Sequence, residues 1–150
     1  MSEMRLRLPA QMDSLREDLV GFDGSGGLVF AADPEPPADY GELEDELLEC
    51  FRLTREASVG GAPIVYVLSQ ADLLGHRGAL GAMRAGALLS AMRSLAFEGV
   101  RAGRRANAIA VNESPDLAAL ARWVRVLLIE PDLTGELVRL AAADFGRLVP

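Results

Sequence analysis

The run Ile64-Val65-Tyr66-Val67-Leu68-Ser69 constrains the fold more than any other part of the chain. Side chains along a strand alternate between faces, and here apolar residues occupy both sets of positions. A strand of this kind needs cover on both sides, which is the situation of a central parallel strand sandwiched between helix layers. The flanking segments supply helices. Tyr40 to Ser58 puts Leu43, Leu47, Cys50, Phe51 and Thr54 on one stripe and Glu42, Asp45, Glu49 and Arg52 opposite, and Gly60 and Gly61 end it. After the strand, a glycine-rich loop around Gly75 and Gly78 leads into a long helix reaching about Glu98, closed by Gly99 and Gly103.

The same alternation runs through the rest of the chain. Met4 to Leu8 has period two and stops at Pro9, a short strand, and Met12 to Phe22 carries Met12, Leu15, Leu19 and Phe22 at helical spacing. The glycines of Gly24-Ser25-Gly26-Gly27 form a turn, followed by a buried-type strand, Leu28 to Ala32, and a proline-rich loop, Asp33 to Asp39. Asn107 to Val111 is a strand. Ser114-Pro115 has the form of an N-cap and first helical residue, opening a helix from Asp116 to Ile129, and Gly135 to Leu140 is the last strand. The order β-α-β-α-β-α-β-α-β predicts one α/β domain over residues 1–150, with a mainly parallel sheet of about five strands.

Composition removes several classes of function. The net charge is −7, which opposes the counterion displacement that nucleic-acid binding requires. All 15 basic residues are arginine, so chemistry that needs a lysine amine is excluded. No apolar run reaches the roughly 18 residues needed to cross a bilayer, and residues 1–13 contain no apolar core of a signal peptide. With the single thiol of Cys50, these features predict a cytoplasmic protein.

Several short stretches, in order, resemble the short-chain dehydrogenases/reductases. Leu28-Val29 matches the opening of "LVNNAG", and Phe51-Arg52-Leu53-Thr54-Arg55 is similar to "FxLTR". Ile64 to Ser69 is similar to the strand that ends in the family's catalytic serine. Arg93 to Glu98 resembles "TRSLAxE", Arg105 to Ala110 resembles "RVNAIAPG", and Leu133 to Leu137 resembles "ITGQV". The resemblance implies a three-layer Rossmann-like sandwich. It places the start of the chain at the third of seven strands, lacking the first two β-α units and with them the glycine-rich phosphate turn.

The family works through Asn, Ser, Tyr and Lys; the tyrosine exchanges a proton with substrate and the lysine lowers its pKa. On this sequence those positions fall on Glu46, Ser69, Gly81 and Ala85, so only the serine remains. A hydroxyl without its proton donor and hydride source reduces nothing. The resemblance therefore implies no nicotinamide cofactor and no oxidoreductase activity.

Other groups have plain structural readings. Ser69 and His76, with Asp72 as orienter, are the residues from which a new dyad could be assembled. The carboxylates Asp33, Glu35, Asp39, Glu42, Glu44, Asp45, Glu46 and Glu49 read as a solvated loop and helix start rather than a metal site. Arg101, Arg104 and Arg105 read as solvated helix-end residues, Cys50 as core, and Trp123 as core or interface. With only Asp116 to Ile129 assigned to the second helix layer, one apolar sheet face is expected to lie open to water. Family members pair through the helices kept here, which implies an interface including Leu47, Phe51, Ala82, Ala85, Leu89, Met92, Trp123 and Leu137. The expected partner is a full-length active subunit of the same family or a second copy of this chain. The alternative is a homodimeric, nicotinamide-independent lyase, cyclase, isomerase or binding module using the groove near Ser69.

Overall fold

The structure, a computed structural model, describes residues 4–20, 22 and 26–141. In chain order the elements are β1 (Arg5–Arg7), a 3-10 turn (Ala10–Met12), α1 (Asp13–Val20), β2 (Leu28–Ala31), α2 (Tyr40–Val59) and β3 (Ile64–Ser69). Next come α3 (Gln70–Leu73), α4 (Ala79–Gly99), a 3-10 turn (Val100–Ala102), β4 (Ala106–Val111), α5 (Leu117–Ile129) and β5 (Leu137–Leu140). The sheet has five strands in the order β1-β2-β3-β4-β5, every neighbouring pair parallel.

The pleat sorts the strand side chains into two cores. Leu28, Phe30, Ile64, Tyr66 and Leu68 pack with Cys50 and Ala57 of α2 and with Ala85, Leu88 and Met92 of α4. Val29, Ala31, Val65, Val67, Ile109 and Val111 pack with Leu15 and Leu19 of α1 and with Leu120, Val124, Leu127 and Leu128 of α5. The result is a three-layer sandwich with α2 and α4 on one face and α1 and α5 on the other. Consecutive strands always step in the same direction across this sheet. Helices on opposite faces therefore require connections of opposite hand, although parallel crossovers are overwhelmingly right-handed.

Two expectations fail here for one reason. The sheet face opposite α2 and α4 is not open to water: α1 covers it, with Leu15 and Leu19 wholly buried and Met12 beside them. Nor does β1 stand in the place of a third strand. It is hydrogen-bonded along β2, with Arg5, Leu6 and Arg7 opposite Leu28, Val29 and Phe30. In the 3-2-1-4-5-6 order of dinucleotide-binding sheets, the neighbour of the fourth strand is the first. β1 and α1 thus form a first β-α unit that closes the second layer.

Smaller differences concern element ends. The cap of α5 is Asp116, whose carboxylate accepts from the amides of Ala118 and Ala119, so Ser114-Pro115 lies in the preceding loop. The loop after β3 contains the single turn α3, which Ser69 caps by accepting from Asp72 N. The run expected as a strand from Gly135 starts at Leu137. Gly24 and Ser25, half of the expected glycine turn, lie outside the described residues. The "RVNAIA" and "ITG" matches have structural work: Asn107 donates to Leu133 O and accepts from Glu136 N, and Thr134 accepts from Ala106 N. These bonds fasten the approach to β5 against β4.

Candidate functional site

Glu46 and Arg84 lie on the inward faces of α2 and α4, where the neighbours at helical spacing are Leu43, Cys50, Gly81 and Leu88. A charge on such a stripe must find a partner, because burying it alone is far too costly. The α2 cap sets the register. Asp39 accepts from Glu42 N, and Glu42 accepts in turn from Ala38 N, the amide just before the cap. Two turns in from this end, Glu46 meets Arg84 at 3.0 Å, with Arg84 only 1% exposed. The other guanidinium arm donates to Asp72 at 2.8 Å. Asp72 accepts as well from Arg77 Nε at 2.9 Å.

At the other end Glu46 accepts from the Asp33 amide and lies 3.8 Å from Arg7. Arg7 reaches Asp33 at 2.9 Å and Glu49 at 3.1 Å, and its guanidinium lies over the Phe30 ring. The side chains form an alternating array: Asp33, Arg7, Glu46, Arg84, Asp72, Arg77. Alternation is what makes the burial tolerable, since each interior charge has opposite charges on both sides. Glu46 is therefore not part of a solvated acidic face, contrary to the sequence expectation.

The array packs against Gly81 of α4. Gly81 allows it: a Cβ built there would lie 2.4 Å from Asp72 Oδ1. Any tyrosine at this position would displace the carboxylate that holds Arg84 and Arg77. The dyad considered from the sequence does not assemble. His76 is exposed, Asp72 is committed to two arginines, and Ser69 Oγ accepts from an amide as a helix cap.

Beside the array, outside the carboxyl ends of β2, β3 and β4, lies a cleft of ≈480 Å³. Ala32 to Glu35, Val67 to Ser69 and Val111 to Pro115 line it, with Pro9, Gln11, Met12, Leu117 and Arg77 completing the wall. Crevices at this end of a parallel sheet are the usual place for ligands in open α/β folds. Arg77 Nη1 donates to Pro34 O at 2.7 Å, while its Nη2 is buried without a hydrogen-bond partner. Gln70 is also fully buried, and neither its amide oxygen nor its nitrogen has a partner.

The remaining polar group in this half of the core is closed on itself. Thr54 Oγ1 and Tyr66 OH are 2.7 Å apart, and Cys50 Sγ lies 3.8 Å from Thr54 Oγ1. Burial pushes the Cys50 thiol up to about 11 and raises the Tyr66 phenol as well. Neither is poised for chemistry near neutral pH. Among the described residues, no group of three or more His, Cys, Asp or Glu is arranged to hold a metal ion. No helix among them is long and apolar enough to cross a membrane.

Of the expected interface residues, Phe51 is exposed at 66%, and Leu47, Ala82, Leu89, Trp123 and Leu137 are partly buried. Ala85 and Met92 are corrections: both are inside the core under β3 and β4 and unavailable to a partner. The outer sides of α2 and α4 instead expose Tyr40, Leu48, Phe51, Met83 and Phe97. Arg105, expected in solvent, is half-buried and donates to Leu128 O.

No family model and no curated protein matches the sequence. Solved structures do match. A short-chain type dehydrogenase/reductase from Mycobacterium ulcerans is similar at 17% identity with a TM-score of 0.58, over 87% of this chain and 64% of that one. The Cj0485 dehydrogenase is similar at 14% identity with a TM-score of 0.62, over 88% of this chain and 69% of that one. The fold is that of the short-chain dehydrogenases/reductases. This chain spans about two thirds of the length of either structure.

That fold implies a nicotinamide dinucleotide, and the residues here do not fit one. The first β-α turn should present free amides and glycines so that the backbone can approach a pyrophosphate. Here it reads Leu8-Pro9-Ala10-Gln11-Met12. It has no glycine, Pro9 has no N–H, and the Met12 amide is already donated to Pro9 O. No step through such a cofactor follows from this site.

Proposed function

We propose that this chain is a non-catalytic subunit of the short-chain dehydrogenase/reductase fold. It associates with a full-length, active dehydrogenase of that fold, or with a second copy of itself, and stabilises or modulates the resulting oligomer. The observation that carries the reading is the Glu46–Arg84–Asp72 array packed against Gly81. On the sequence resemblance the family's asparagine and tyrosine positions fall on Glu46 and Gly81, and the charged side chains there are locked to one another. For the association, the support is the apolar outer surface of α2 and α4. Tyr40, Leu48 and Phe51 lie along one helix, and Met83 and Phe97 flank Gly86 and Ser90 on the other, where small residues permit close helix approach.

The test is affinity purification of tagged protein from its own cells, followed by sedimentation of the recovered complex. A full-length dehydrogenase in fixed stoichiometry, released by Leu48→Asp/Phe51→Asp, is the expected result. A chain that sediments as a monomer at all concentrations and recovers no dehydrogenase refutes the reading. A second reading rests on the cleft beside Ser69: small-molecule binding without hydride transfer.

A further inference from the structure

The outer side of α2 carries a pattern that is symmetric about its own middle. Tyr40, Glu44, Leu48, Phe51, Arg55 and Val59 follow one another at steps of four, four, three, four and four residues. At 3.6 residues per turn these positions fall within roughly 100° of the helix circumference, so they form a single stripe. The side chains that α2 buries, Leu43, Glu46, Cys50, Thr54 and Ala57, lie on the other side of the helix. Tyr40, Leu48, Phe51 and Val59 are each more than half exposed, and Glu44 and Arg55 are exposed as well.

The chemistry of the stripe has the same symmetry. Outward from the midpoint between Glu49 and Cys50 come Leu48 and Phe51, then Glu44 and Arg55, then Tyr40 and Val59. A two-fold axis through that midpoint, perpendicular to the helix, sets each member against its mate in an antiparallel copy. Apolar residues meet at the centre and at both ends, and a carboxylate meets a guanidinium in between. Glu44 and Arg55 make no ion pair among the described residues, whereas the neighbouring Arg52 and Glu56 are bonded to each other. A shallow groove bounded by Tyr40, Leu43, Glu44, Leu47 and Leu48 lies where the aliphatic stem of Arg55 from the second copy would rest. Sliding the pair by one turn sets Leu48 against Arg55 in one direction and Glu44 against Phe51 in the other, so the stripe selects one register.

We propose that α2 pairs with α2 of a second copy of this chain, antiparallel about that axis, with Leu48 on Phe51, Glu44 on Arg55 and Tyr40 on Val59 across it. The inference rests on the reading of the outer surface of α2 and α4 as an interface, and commits its α2 half to one occupant. A contact built on one helix pair lies at the low end of specific interface sizes, so the dimer is expected to come apart on dilution through the micromolar range.

Sedimentation equilibrium of the full chain at low salt reads the dimer constant. Glu44→Arg and Arg55→Glu each turn two attractive pairs into two repulsive ones, and each is expected to weaken the homodimer about tenfold, with little change in melting temperature. Both reversals in one chain are expected to restore the wild-type constant to within about threefold. An equimolar mixture of the two single variants is expected to form the heterodimer in preference to either homodimer. A dimer that ignores both reversals, or a double reversal that restores nothing, overturns the antiparallel register and leaves the interface reading in place. A chain that stays monomeric but recovers a dehydrogenase, released by Leu48→Asp/Phe51→Asp, overturns the second copy as the occupant and keeps that reading. A monomer that recovers no dehydrogenase overturns both.

Discussion

The two faces of the sheet are built on different physics. The face under α1 and α5 is aliphatic, with Leu15, Leu19, Leu120, Val124, Leu127 and Leu128 against valines, Ile109 and Ala31, and Asn107 as its buried polar side chain near one end. The face under α2 and α4 carries Glu46, Thr54, Tyr66, Asp72 and Arg84 within the same thickness of core. The aliphatic face draws on non-directional burial, at about 25 cal/mol per Å² removed from water. The polar face depends on partners being present in fixed geometry. One face tolerates repacking, and the other fails when a single partner is lost.

Removing one member of the buried array should have the largest effect. Arg84→Met leaves Glu46 and Asp72 buried with half their counter-charge and is expected to cost about 3–5 kcal/mol in urea unfolding. A cost below about 1 kcal/mol would show that water reaches the array and would dissolve the contrast. On the aliphatic face, Leu127→Ala removes a fully buried side chain. It should cost about 2–5 kcal/mol, with a penalty insensitive to salt.

Gly81→Ala tests the junction between the two helices that hold the array. The added methyl must push Asp72 away, so a loss of about 1–3 kcal/mol is expected, together with a changed environment at Arg77. Tyr66→Phe removes only the hydrogen bond to Thr54 and should cost about 1 kcal/mol by thermal melting.

The smallest expected effect is on the alkaline limb of stability. Cys50 in the folded chain titrates near 11, above its ordinary 9.0, because burial penalises the thiolate. Between those values the unfolded chain has released the proton and the folded chain has kept it, so stability falls as pH rises across that window. Cys50→Ala should flatten the decline between pH 9 and 11 relative to wild type in parallel urea titrations. An identical slope in both proteins would mean that Cys50 opens to solvent in the folded state.

Much of the aliphatic half was legible from spacing. Leu15 and Leu19 on one helix, and Leu120, Val124 and Leu127 on another, declare their buried sides by period alone. Which sheet face α1 would cover was not legible. A three-residue β1 and an eight-residue α1 carry no local mark of where they dock, and the hand of the connection depends on that choice. The array left a trace that pattern reading passed over: Glu46 and Arg84 each interrupt an apolar stripe at i+3 or i+4 spacing. A single interruption looks like noise. Two of opposite charge on facing helices are a pair.

Periodicity, turn residues and the two-sided apolar run at Ile64–Ser69 were sufficient for an α/β chain with a parallel sheet. These are properties of neighbouring residues, and covering both faces of β3 leaves few other architectures. The Glu46–Arg84–Asp72 array depended on contacts between residues 12 and 38 apart in sequence, which only the packing of α2, α3 and α4 brings within 3 Å of one another. The cover over the second sheet face was likewise a matter of tertiary structure, because a short amphipathic helix is equally stable in pattern on either side of a sheet that is apolar on both.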